Sequence, residues 1–68
     1  MALSNPYNLT GIKIGDLIIN CHSLTRDLTI GKTYKVFDVK KEVIPEEVWF
    51  RDDRGNLRKA INGKFKIV

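Results

Sequence analysis

Cysteine and histidine occur once each, as the neighbours Cys21 and His22, and proline occurs only twice. One cysteine excludes an internal disulfide, and a small domain without such staples suits a reducing compartment; a cytoplasmic location is expected. A zinc site assembled from three or four Cys and His ligands is excluded as well, so no metal and no cofactor is expected. Long apolar runs are missing. None exceeds three residues, as in Leu17-Ile18-Ile19 and Val48-Trp49-Phe50, against the roughly 20 residues of a membrane-spanning helix. The opening residues MALSNPYNLT combine no basic start with a sustained apolar segment, so no secretory signal is expected. Neither a glycine-rich phosphate loop nor a Gly-x-Ser-x-Gly nucleophile motif is present.

What remains is a chain of 68 residues, 43% apolar and 29% charged, an ordinary globular balance in one domain. A domain this small buries roughly 60% of the surface its unfolded chain exposes. Its core rarely supplies more than about 3–5 kcal/mol of net stability. Little structure is left over for a deep, water-excluded cleft.

The net charge of +4 is unevenly spread. Acids and bases balance through residue 50. Beyond it stand Arg51, Arg54, Arg58, Lys59, Lys64 and Lys66 against Asp52 and Asp53. Such asymmetry points to an anionic partner such as nucleic acid. A solubilising, solvated face explains the same composition.

Residues 1–10 read as a flexible N-terminal arm and 11–68 as the folded domain. Short apolar segments divided by turn residues follow, and no helical stripe is long enough to stand alone. The first strand is expected over Ile12 to Cys21, bent at Gly15-Asp16. His22 to Lys32 is a long polar loop that should fold its own leucines, Leu24 and Leu28, beneath itself. Thr33 to Val39 is rich in β-branched and aromatic residues. Strict alternation there puts Tyr34 and Val36 on one face and Phe37 and Val39 on the other. Two apolar faces imply a strand that bends and serves two sheets.

The third strand spans Val48 to Arg51. Asp52-Asp53-Arg54-Gly55-Asn56 then signals a tight hairpin, with Gly55 as its left-handed residue. Leu57 to Ile61 and Lys64 to Val68 complete five strands. Asn62-Gly63 allows two continuations. A simple two-residue hairpin would set Lys59 opposite Lys66, a repulsive cross-strand pair. A single 3₁₀ turn would instead carry the last strand across to pair with the first and close a barrel, which removes exposed edges. The second is preferred.

Five short strands, a long first loop and a 3₁₀ step before the last strand describe a small SH3-like barrel. The segment Leu28-Thr29-Ile30-Gly31-Lys32-Thr33-Tyr34-Lys35-Val36, with the Asp53-Arg54-Gly55 hairpin and Phe65, resembles the signature of small SH3-like proteins encoded by bacteriophages and prophages. The likeness covers residues 12–68 and departs at Ala60-Ile61, where a tyrosine is common. It implies an all-β barrel filled by Leu28, Tyr34, Val36 and Phe65. It further implies an accessory protein of a phage that binds a host or viral macromolecule in the bacterial cytoplasm.

Candidate chemistry is sparse. Adjacent residues of a strand point to opposite faces, so Cys21 and His22 are not a nucleophile–base pair; a core-packed Cys21 and a surface His22 are expected. Asp52 and Asp53, with Glu46 and Glu47 nearby, sit in loops where acids cap turns rather than share a cleft. No enzymatic activity is expected. Trp49 is the more informative residue. With Val48 and Phe50 inward, Trp49 and Arg51 share the outer surface, and Lys59 lies alongside. A tryptophan beside arginine is the composition of a binding hot spot and equally of a base-stacking platform. Alternatively Trp49 is covered by the N-terminal arm through Tyr7.

Three functions follow. The first is a protein-binding module using Trp49, Arg51, Arg54, Arg58 and Lys59. The second is a nucleic-acid binder using Arg51, Arg54, Arg58, Lys59, Lys64 and Lys66 as one basic face. The third is an oligomeric sponge for an anionic nucleotide, disfavoured because one small barrel offers little concavity.

Overall fold

Apolar residues at alternate positions face one side of a strand, and that rule selects the core here. A computed structural model describes residues 7–44 and 46–68. It contains β1 (Leu17–Asn20), β2 (Thr33–Lys40), β3 (Glu47–Arg51), β4 (Leu57–Lys59) and β5 (Phe65–Ile67). All five strands are antiparallel in one sheet of order β4-β3-β2-β1-β5. Helix is absent among the described residues. Ile12, Ile18, Tyr34, Val36, Val48, Phe50 and Phe65 form the buried core, with Leu9, Leu28, Val39 and Ala60 packed against it. The Phe50 ring lies centrally, 5.1 Å from Tyr34 and 5.2 Å from Phe65 between centroids.

Strand β2 is divided between two partners. Residues Thr33 to Lys35 pair with β1, and Val36 onward pairs with β3. A β-bulge lies between Val36 and Asp38, making Phe37 the extra residue. The inserted residue shifts the alternation by one. Val39 therefore joins Tyr34 and Val36 on the inner side, opposite Val48, while Phe37 is left 48% exposed. This corrects the strict alternation that grouped Val39 with Phe37.

The β3–β4 hairpin closes as its sequence prescribes. The Gly55 N–H donates to the Asp52 carbonyl at 2.9 Å, and Gly55 takes a φ of +84°. A side chain at that φ would cost about 1–2 kcal/mol, which glycine avoids.

The last strand does cross to the first: Ile18 opposes Ile67 and Asn20 opposes Phe65. Ala60 still donates to Val48 on the edge of β3, and the Lys64 carbonyl already accepts from Cys21 at the end of β1. Four residue steps span at most about 14 Å, so the sheet curls until its two ends nearly meet. It does not close, because β4 and β5 make no contact with each other. Each has three residues, and the intervening turn takes up chain that a connecting ladder would need. That turn has one bond, from the Lys64 N–H to the Ile61 carbonyl at 3.2 Å, with Gly63 at φ +85°. A left-handed residue cannot extend a 3₁₀ helix, so the expected 3₁₀ step is a simple turn.

The long first loop is also held differently from expectation. Leu28 packs on the core, but Leu24 is 89% exposed. Polar bonds replace the missing leucine: the buried Asn20 amide exchanges hydrogen bonds with the Ser23 backbone at 2.9 and 3.1 Å. Of the arm, residues 1–6 lie outside the described residues. Leu9 rests against the core, and its carbonyl accepts the Ile12 N–H.

Candidate binding site on the outer sheet face

With Val48 and Phe50 buried, β3 must turn Glu47, Trp49 and Arg51 to the outer face. Register then supplies the neighbours. Trp49 lies between Asp38 on β2 and Lys59 on β4, and Leu57 opposes Arg51. Half-buried Trp49 thus occupies the middle of a three-stranded surface. Its indole N–H donates to Glu47 Oε1 at 3.3 Å, and the Lys40 ammonium sits 5.8 Å from the ring. Phe37, presented by the bulge, stacks under the Arg51 guanidinium at 4.7 Å. Arg51 also donates to the Gly55 carbonyl at 2.8 Å, which fixes the guanidinium in place. Together Phe37, Asp38, Lys40, Trp49 and Leu57 line a shallow concavity of about 190 Å³.

Tyr7 does not cover this face. Its hydroxyl shares a hydrogen bond of 2.7 Å with His22, and its ring lies 5.5 Å from the Lys66 ammonium. Both contacts belong to the opposite end of the strand order.

The expected basic residues are not brought together. Arg51 and Lys59 share the outer face with Trp49, and Lys59 reaches Glu47 at 3.7 Å. Arg54 is exposed at the hairpin tip. Arg58, one position from each outward neighbour on β4, points to the other side. There it binds Asp52 through Nε at 2.6 Å and approaches Asp27 at 3.7 Å. It is a structural ion pair and no part of the outer surface. Lys64 and Lys66 lie at β5, the far edge of the sheet from β4. A single basic face of six residues is therefore not formed.

The two aspartates of the hairpin act on the fold. Burial pushes the Asp52 carboxyl up, but the Arg58 guanidinium and the Asn56 and Arg54 backbone N–H groups outweigh it and hold the carboxyl below its ordinary value. Asp53 collects the Lys32 ammonium at 2.6 Å, the Thr29 hydroxyl at 2.7 Å and the Tyr34 hydroxyl at 2.9 Å. Lys32 and Thr29, with a smaller contribution from Tyr34, bring Asp53 down to about 2 against the pull of burial. The Lys32 ammonium is correspondingly raised by Asp53. Thr29, Lys32 and Tyr34 come from the very segment that carries the family resemblance, so here that segment clamps the first loop to the hairpin.

Cys21 is half-buried rather than core-packed, its thiol directed at the Ile19 carbonyl at 3.7 Å, while His22 is exposed beside Tyr7. Among the described residues no group of three or more His, Cys, Asp or Glu is placed to hold a metal ion. No helix among them is long and apolar enough to cross a membrane.

Phe37, Lys40 and Leu57 were not anticipated as site residues. Leu57 was readable, since the hairpin turn fixes its pairing with Arg51. Phe37 was not, because the bulge that exposes it depends on the partner strand. Compared with protein-family models, with curated proteins and with solved structures, the chain matches none.

Proposed function

We propose that the chain is a non-enzymatic protein-binding module, an SH3-like accessory protein of the phage-encoded kind. It acts in the bacterial cytoplasm by docking on a host or viral protein and occluding it. The carrying observation is the outer face of β2, β3 and β4: a half-buried tryptophan between exposed Phe37 and Leu57, edged by Lys40, Arg51 and Lys59. Aromatic residues and arginine are the side chains most often responsible for binding energy at protein interfaces. The removal of Arg58 into an internal ion pair, the Lys59–Glu47 pair and the remoteness of Lys64 and Lys66 count against a continuous phosphate-binding track. A nucleotide sponge finds no support in a surface this open.

The test is affinity capture from nuclease-treated bacterial lysate with the wild-type chain and the Trp49→Ser variant. A protein retained stoichiometrically by the first and lost by the second is expected, with affinity reduced by roughly 30-fold or more for a hot-spot tryptophan. Capture of no stoichiometric protein, equal retention by both, or binding of purified nucleic acid with steep salt dependence in a parallel assay would sink the reading.

A further inference from the structure

A second concavity adjoins the Trp49 face and shares a wall with it. It is larger, about 560 Å³, and lies between the 13–16 turn, β2 and the end of β3. Ile14 and Phe37 supply its exposed apolar surface, while Lys35 and Arg51 stand at its margin. The local chain geometry holds it open. Gly15 donates to the Val36 carbonyl at 2.9 Å and Val36 donates to the Asp16 carbonyl at 2.8 Å, which pins the turn against β2. Asp16 in turn accepts the Lys13 N–H through its side chain, closing the turn on itself. Ile14 is thereby left at its tip, 65% exposed.

Phe37 belongs to both concavities, so the Phe37–Arg51 stack is the ridge between two apolar depressions. Charge along this track is one-sided. Lys35, Lys40 and Arg51 have no carboxylate partner among the described residues, whereas Lys32 and Lys59 are paired with Asp53 and Glu47. Among the residues lining the two depressions, Asp38 is the one acid left without a cation, and it accepts its neighbouring Val39 N–H. The unpaired cations therefore outnumber the unpaired acids three to one.

We infer that the two depressions and their ridge take an extended acidic peptide segment, one apolar side chain seated against Ile14 and Phe37, another against Trp49 and Leu57, and an Asp or Glu between them on Arg51. This rests on the protein-binding reading above and specifies the partner. Side chains on one face of an extended strand recur every second residue, so residues i and i+4 fill the two apolar seats and the acid at i+2 meets Arg51 on the ridge between them. A guanidinium held over an aromatic ring keeps N–H donors free for a carboxylate, which it binds in a two-point fashion. The exposed aliphatic walls, Ile14 and Leu57, match side chains better than stacked bases.

The probe is a displayed library of random peptides about a dozen residues long, panned against the full chain with the Phe37→Ser variant as subtractive control. The expected consensus is apolar–x–(Asp or Glu)–x–apolar, the spacing that puts all three side chains on one face of an extended strand. Synthetic peptides of that consensus should bind the Ile14→Ser, Lys35→Glu and Arg51→Glu variants weaker by roughly tenfold or more, the change that follows truncation of one interface anchor. Ile14 and Lys35 are exposed, so folding is not at stake in those variants, and circular dichroism checks it. No enrichment over the control, a basic consensus, or displacement of the peptides by a single-stranded oligothymidine overturns the inference. Binding that survives Ile14→Ser and Lys35→Glu but not Trp49→Ser overturns the double seat and leaves the Trp49 face standing. Binding that survives Trp49→Ser removes both.

Discussion

The Tyr34 hydroxyl donates to the Asp53 carboxylate at 2.9 Å, and it simultaneously accepts the Thr29 backbone N–H at 2.8 Å. One phenol thus ties the first loop, β2 and the β3–β4 hairpin together, while its ring packs on Phe50 in the core. Polar and apolar stabilisation meet in a single side chain. Tyr34→Phe keeps the ring and deletes both bonds. It should cost about 1–3 kcal/mol, two bonds at the net worth of a typical intramolecular hydrogen bond, read by urea unfolding. The Asp53 carboxyl should also titrate higher than about 2 once that donor is gone, read by carboxyl-carbon NMR. An unchanged Asp53 titration would show that the hydroxyl does not reach it in solution.

Acid should loosen the same clamp. Asp53 titrates at about 2 in the folded chain, below its ordinary value of 3.8, and Asp52 is shifted in the same direction. A carboxyl whose folded value is depressed binds fewer protons folded than unfolded. Its contribution is complete above the unfolded value and is lost as pH falls toward the folded one. Melting temperature should therefore hold from neutral pH to about 5 and decline between about 5 and 2. In Asp53→Asn the starting value should be lower and the decline shallower. A wild-type profile no steeper than the variant's would remove Asp53 from the account.

Most of the strand order was legible because alternation, turn chemistry and edge avoidance agreed. The Asp52–Asn56 hairpin announced its own register, and the Lys59–Lys66 clash correctly disfavoured pairing β5 with β4. The bulge at Phe37 was not legible. An inserted residue is defined by what stands opposite it, and nothing in Val36-Phe37-Asp38 says that β3 offers one residue fewer. The exposure of Leu24 escaped for a related reason: a loop can be held by Asn20 and Ser23 as well as by its leucines. The sheet's incomplete closure depended on strand lengths at the level of single residues, where sequence patterns are weakest.

The two faces of β3 should respond to truncation in opposite ways. Phe50 is fully buried between Tyr34 and Phe65, so Phe50→Ala removes a ring and leaves a cavity, a loss of about 3–5 kcal/mol. A core of this size supplies a similar net stability, and the variant should be largely unfolded by circular dichroism at room temperature. Trp49, one position on, faces outward, and Trp49→Ser should remain folded while losing partner binding. A folded Phe50→Ala chain would mean that the core lies elsewhere.

Arg58 and Arg54 stand in the same short hairpin and carry the same charge, yet the structure gives them different work. Arg58 neutralises a carboxylate that is itself out of contact with solvent, at 2.6 Å. Arg54 is exposed, and its turn bond uses only the backbone N–H. Removing the Arg58 guanidinium strands Asp52 without its countercharge, and a stranded buried charge is more damaging than the loss of a surface pair. Arg58→Ala should lower the melting temperature clearly, with the deficit shrinking at acid pH where Asp52 becomes protonated. Arg54→Ala preserves every bond in the turn and should melt as the wild type does, within about 0.5 kcal/mol. In a binding assay Arg58→Ala, once folded at low temperature, should keep the partner that Arg51→Glu loses. The reverse pattern, with Arg58→Ala stable but binding abolished, would return Arg58 to the contact surface and require β4 to present its other face.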